Sequence, residues 1–242
     1  MTDDFRAPVL YYHRVSPDAD PRTGVTPEQF AAQMAILKRV GFVGTSLVRA
    51  LDGEKRGEAR PVVALTFDDG YEDNYVYAAP ILERFGFAAT IYFVAERLGK
   101  RVDWTGDPVW SGHRLMEASL ARELVSRGFE AGSHTLTHPD LRAIPDERAR
   151  REIRESRERL SQELSAAVTT FCYPYGSFGE QHPEMVREAG YRAARTVRRY
   201  RFGGTPDPFR MACRPVSGRM GLLRFQATIL AYRAGLRGGD IP

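Results

Sequence analysis

Apolar residues in this chain fall into short continuous runs, separated by longer stretches where they recur every three or four positions. The clearest run, 62–67, reads Val-Val-Ala-Leu-Thr-Phe, the unbroken hydrophobicity of a strand covered on both faces. Runs at 8–12, 88–94, 129–132, 169–173, 191–197 and 211–216 read as further strands. Helices are expected between them. The first starts at Thr26, with Pro27 in the first helical position and Gln29 three residues after the cap; it buries Phe30, Met34 and Leu37 and stops at Gly41. Others are expected over 75–85, where Pro80 kinks the helix or delays its start, 115–127 with Gly128 as cap, 146–164, 183–188 and 222–236. Residues 52–60 read as a charged surface connector. Residues 100–113 read as a Gly- and Pro-punctuated loop. Strands alternating with helices imply a largely parallel sheet or a barrel. With no internal repeat or linker, 1–242 reads as one α/β domain.

Composition narrows this reading only a little. A chain of 242 residues with 43% hydrophobic content can bury a sizeable core. The net charge of +4 comes almost entirely from arginines mixed with acids. No aromatic-interleaved basic stripe appears, so no nucleic-acid partner is expected. The charges of 146–164 read as a solvated face with i,i+4 pairs. The acidic start Met1-Thr2-Asp3-Asp4 is followed by no apolar segment, and no run is long enough to span a bilayer, so a cytoplasmic location is expected. Two cysteines, Cys172 and Cys213, suit a reducing compartment.

Three stretches carry chemistry. Strand 62–67 ends in Asp68-Asp69-Gly70, two carboxylates where α/β folds place their sites; alone, the trio is also an ordinary turn. Ser133-His134-Thr135-Leu136-Thr137-His138 follows another strand, and its histidines four residues apart can share one face toward a metal ion. Phe171-Cys172-Tyr173-Pro174-Tyr175-Gly176 runs from a strand into a bend that can leave a backbone N–H free for an oxyanion.

Together these motifs resemble the polysaccharide deacetylases with the NodB homology domain, carbohydrate esterase family 4. Thr66 to Gly70 matches the first motif and His134 to His138 the second; Cys172 to Gly176 matches the third in part. The resemblance implies a distorted (β/α) barrel of about seven strands. It also implies a divalent ion (Zn²⁺ first, Co²⁺ or Ni²⁺ as alternatives) on Asp69, His134 and His138. Asp68 would be the general base, and the Tyr175 backbone N–H the oxyanion donor. The implied activity is removal of an N-acetyl group from an amino sugar of a glycan or glycan precursor. A non-catalytic carbohydrate-binding protein, or a deformylase or cyclic amide hydrolase on the same fold, are the alternatives.

The chain departs from that pattern twice. No histidine follows His182, so the usual late acid is missing, and Cys172 stands where the third motif carries arginine. Tyr12-His13-Arg14-Val15 resembles the opening of the poly-N-acetylglucosamine deacetylase subgroup and makes His13 the candidate acid. Arg214, beside the last strand, is the candidate replacement for the arginine. His113 and His182 read as structural or exposed. A substrate rim is expected from Tyr12, Tyr71, Trp104, Trp110 and Pro174, since aromatic faces pack against sugar rings. The terminal helix, with Phe225, Ile229, Arg224, Arg233 and Arg237, is expected on the barrel, with peripheral contact to a lipid-linked substrate as an alternative.

Overall fold

Eight parallel strands are arranged around β5 (Val62–Phe67), whose side chains from Val63 onward are buried. The structure is a computed structural model describing residues 7–56, 61–197 and 207–236. The acidic N-terminal residues, positions 57–60 of the charged connector and Arg237 lie outside the described residues.

β1 (Val9–Tyr12) leads into a two-stranded parallel pair, β2 (Arg14–Val15) with β3 (Gly24–Val25). Helix α1 (Pro27–Val40) carries the expected capping box: Thr26 and Gln29 bond reciprocally, and Gly41 ends the helix in a left-handed conformation at φ 90°. β4 (Val43–Thr45) and α2 (Leu47–Lys55) follow, so the charged connector begins as helix. After β5, residues Asn74–Ala78 form a π-helical turn before α3 (Ala79–Phe85). Pro80 therefore sits in the first turn of α3, where its missing N–H costs nothing. β6 (Thr90–Phe93), α4 (Ala118–Ser126) and β7 (Glu130–Ser133) come next. They are followed by α5 (Asp146–Leu164), β8 (Thr170–Cys172), α6 (His182–Glu188) and β9 (Ala193–Arg195). β10 (Arg214–Pro215) and α7 (Leu222–Arg233) complete the described fold.

The strand order is β10-β1-β5-β6-β7-β8-β9, with β4 also on β5. The two ends of this order meet. Met211 bridges to Arg195 of β9, and Arg214 pairs with Leu10 of β1. A five-residue span thus closes the sheet into the distorted barrel that the sequence implied.

Helix α5 shows how the core selects its face. Ala149, Glu152, Ile153, Ser156, Leu160 and Leu164 are buried, whereas Arg151–Glu155 and Arg159–Glu163 form outward i,i+4 pairs. α7 buries Phe225, Thr228 and Ile229 and turns Leu223 and Leu230 to solvent. Among the described residues no helix is long and apolar enough to cross a membrane.

Candidate active site

The three motifs converge at the C-terminal ends of β5, β7 and β8, where parallel barrels place their sites. The backbone there is strained. Five non-glycine residues have positive φ among those described, and four belong to this site: Asp69 at 69°, Thr135 at 69°, His138 at 64° and Tyr175 at 58°. Such conformations cost about 1–3 kcal/mol each and persist where their surroundings enforce them. Gly70 (φ 73°) completes the turn, and a Cβ there would lie 2.6 Å from the Phe93 ring.

Asp69, His134 and His138 form a buried triangle. Asp69 Oδ1 lies 3.5 Å from His134 Nε2 and 3.4 Å from His138 Nε2, and the two nitrogens are 3.2 Å apart. Ligands at bonds of about 2.1 Å around a tetrahedral ion are separated by about 3.4 Å, so the spacing fits a zinc-like cation. Two further observations agree. Asp69 Oδ1 is buried without a hydrogen-bond partner among the described residues. His134 Nδ1–H donates to the Cys172 carbonyl at 2.8 Å, turning Nε2 inward as a lone-pair donor. Burial foremost, then His138, hold the His134 pKa down at about 3, so the ring is neutral and able to ligate. Burial alone would raise Asp69, but His138, His13 and His134 outweigh it and hold the carboxyl below its ordinary range.

Glu152, from α5, clamps the loop between the two histidines. Its Oε2 accepts from the Leu136 and Thr137 N–H groups at 3.0 and 2.9 Å, and its Oε1 from the Thr137 hydroxyl at 2.6 Å. Sequence reading missed this residue amid the charges of α5.

Asp68 is 2% exposed and its two oxygens have different neighbours. Oδ2 faces His13 Nε2 at 3.9 Å. Oδ1 is paired with the guanidinium of Arg195, with the Cys172 thiol at 3.9 Å. Arg195 was also missed, and it corrects the expectation for Arg214. Arg214 lies on β10 and hydrogen-bonds Tyr232, whereas β9 aims Arg195 into the barrel. His13 lies beside Asp68. Burial is the main cause that lowers its pKa to about 4, with Asp69 opposing and Arg195 and His138 assisting, so it is neutral near pH 7.

The tryptophan loop forms one wall. Trp104 stacks on His138, with centroids 4.5 Å apart, and Trp110 meets His13 edge-on at 4.7 Å. Tyr175 is 53% exposed and meets His138 in a T-shaped contact, with centroids 4.7 Å apart. Gly176 and Ser177 donate their N–H groups back into the turn, whereas the Tyr175 N–H has no acceptor among the described residues. Pro174 is buried beneath this turn.

Three rim expectations are corrected, the buried Pro174 being the first. Tyr12 is buried, donates its hydroxyl to Gln33 of α1 and stacks on Phe67, because strand alternation turns it away from the face bearing Tyr11 and His13. Tyr71 is buried with Val102 and Leu115 under both tryptophans, supporting the wall instead of lining it. His113 bonds Arg14 and the Val109 carbonyl, and His182 is buried at the start of α6, so both are structural.

Residues 55–194 match the family model described as polysaccharide deacetylase. The chain is 27% identical over 195 residues to a putative polysaccharide deacetylase, YxkH, of Bacillus subtilis, covering 79% of this chain and 64% of that protein. It is 27% identical over 143 residues to a chitooligosaccharide deacetylase of Sinorhizobium fredii, covering 57% of this chain and 58% of that protein. The chain thus spans under two thirds of each. In fold it is similar to IcaB from Ammonifex degensii, with a TM-score of 0.78 at 22% identity over 96% of this chain and 98% of that one. It is likewise similar to the Streptococcus pyogenes deacetylase PplD in complex with acetate, with a TM-score of 0.76 at 22% identity over 90% and 95%.

Proposed function

The chain belongs to the polysaccharide deacetylase family, and from that premise we propose that it is a metal-dependent hydrolase removing an N-acetyl group from an amino sugar of a glycan or glycan precursor. The observation that carries the proposal is the Asp69–His134–His138 triangle with Asp68 Oδ2 and His13 beside it. A divalent ion held by that triangle, Zn²⁺ first and Co²⁺ or Ni²⁺ next, would acidify a water and polarise the amide carbonyl.

The remaining chemistry belongs to side chains and backbone. Asp68, anchored through Oδ1, takes the proton of the attacking water on Oδ2. The Tyr175 N–H donates to the carbonyl oxygen as that oxygen gains charge. The leaving nitrogen must be protonated before the C–N bond breaks. His13 enters neutral, and the 3.9 Å from its Nε2 to Asp68 Oδ2 allows the captured proton to pass through His13 to that nitrogen. Trp104, Trp110 and Tyr175 offer aromatic faces on which a sugar ring would sit.

Acetate release from an N-acetylated chitooligosaccharide, measured with bound metal, tests the proposal. Asp68→Asn should abolish turnover with metal retained, and His134→Ala should lose the metal. His13→Ala should lower kcat about 10²–10⁴-fold with metal retained. Full activity in Asp68→Asn would refute the assignment, and turnover confined to formylated sugars or cyclic amides in the same panel would redirect it.

A further inference from the structure

β8 and β9 run side by side in parallel, with Cys172 and Arg195 as register partners. Both side chains are fully buried, and both point at one atom, Oδ1 of Asp68. The thiol contributes little there. At 3.9 Å it is a weak donor, and burial pushes its pKa well up, so it stays uncharged. Arg195 supplies the charge. Its guanidinium packs on the Tyr11 and Tyr92 rings, 5.0 and 4.8 Å from their centroids, and its Nη1 reaches Cys213 Sγ at 3.5 Å. Among the described residues Asp68 is the one carboxylate paired with it. Held against two rings and one thiol, the guanidinium meets its anion at Oδ1.

We propose that Arg195 is the positioning residue of Asp68, and that this role belongs to the cross-strand pair Cys172–Arg195, so that a guanidinium from either strand can hold Oδ1 and leave Oδ2 to the reaction. The inference rests on Asp68 being the base, which is the reading above. It predicts that the two residues can be exchanged. An arginine on β8 would start from a side chain already 3.9 Å from Oδ1, and a cysteine on β9 would vacate the space beside Tyr11 and Tyr92 into which it extends.

The test compares Arg195→Cys, the exchange Cys172→Arg/Arg195→Cys, and Arg195→Lys, each loaded with Zn²⁺. Arg195→Cys should lower kcat about 100-fold or more, with KM and metal content nearly unchanged, because a misaimed base costs the transition state and not the bound substrate. The exchange should recover most of that loss. Arg195→Lys should fall between, keeping the charge without the fork. A readout independent of turnover is the thermal cycle of Asp68→Asn, Arg195→Gln and the double variant: the paired residues should be non-additive. Additive melting shifts would overturn the pairing whatever the substrate proves to be. An exchange that regains the melting temperature but not kcat would reduce Arg195 to a structural ion pair and overturn the positioning role. Non-additive melting with no turnover in the wild type would uphold the pair and refute the proposed activity instead. Should the exchange variant not fold, Arg195→Lys no more active than Arg195→Cys would refute the proposal alone.

Discussion

Replacing Glu152 separates holding the fold from holding the metal ligands. Its carboxylate receives two backbone N–H groups and one hydroxyl from residues 136 and 137, inside a loop whose flanks, Thr135 and His138, have left-handed backbones. Glu152→Gln keeps an oxygen for both N–H groups and turns its amide toward the Thr137 oxygen, so charge assistance is what it loses. With charged hydrogen bonds contributing about 1.5–3 kcal/mol and neutral ones about 1, and with one charge shared by three donors of which two are half-buried, the expected cost is about 1–2 kcal/mol in all. In a chain of this size that is a fall in Tm of about 2–8 °C. Glu152→Ala leaves one buried and two half-buried donors unpaired and should cost about 2–5 kcal/mol. Released, the loop can relax its two strained residues and spread the imidazoles. Zn²⁺ affinity should then fall about 10-fold in the Gln variant and up to about 100-fold in the Ala variant. Calorimetric titration of Zn²⁺ into chelator-stripped protein measures this, with the visible spectrum of bound Co²⁺ reporting ligand geometry. A Glu152→Gln protein that melts lower yet binds Zn²⁺ with wild-type affinity would refute the clamp.

Three further outcomes are expected. Stripping with a chelator should abolish acetate release, and Zn²⁺ at about 100 times its Kd should then stabilise the protein by about 2.7 kcal/mol, visible as a raised Tm; an unchanged Tm would argue against a buried ion. Asp73 is 12% exposed, and burial outweighs Arg14 to raise its pKa from 3.8 to about 6. Its protonated form is thus favoured by the fold, and its contribution is complete below pH 3.8 and lost as pH rises through 6. Asp73→Asn should remove about 2–3 kcal/mol of decline in stability between about pH 4 and pH 7, followed by urea unfolding; identical slopes in both proteins would refute the assignment. Tyr175→Gly relieves a left-handed tyrosine and keeps the N–H, so kcat should stay within about tenfold while stability holds or rises by about 1 kcal/mol; a loss as large as that of Asp68→Asn would move the role to the phenol.

The Asp69–His134–His138 triangle was legible because Asp69 stands just past a continuous apolar run and the two histidines, four residues apart, follow a second short strand, and strand ends are where parallel sheets keep their chemistry. Other parts needed the third dimension. Arg195 sits among alanines on a short strand, and only the register with Cys172 reveals what it faces. Glu152 is one acid in a helix full of acids and arginines; the inward spacing of Ala149, Ile153, Ser156 and Leu160 was the one sequence signal that set it apart. Tyr12 was misassigned by proximity to His13, where alternation along β1 would have sent neighbours to opposite faces. β4 escaped notice because Val43-Gly44-Thr45 is too short to establish a period.

Closure of the barrel by residues 211–215 has a temporal consequence. Asp68 draws His13 from the first strand and Arg195 from the ninth, and β1 is held between β5 and β10. A nascent chain emerging from the ribosome therefore carries Asp68 without the opposing cation for most of synthesis. Such long-range contacts form late and slowly. Chains truncated before β9 would be inert even with every metal ligand present, so onset of turnover during refolding would mark the arrival of the last strand.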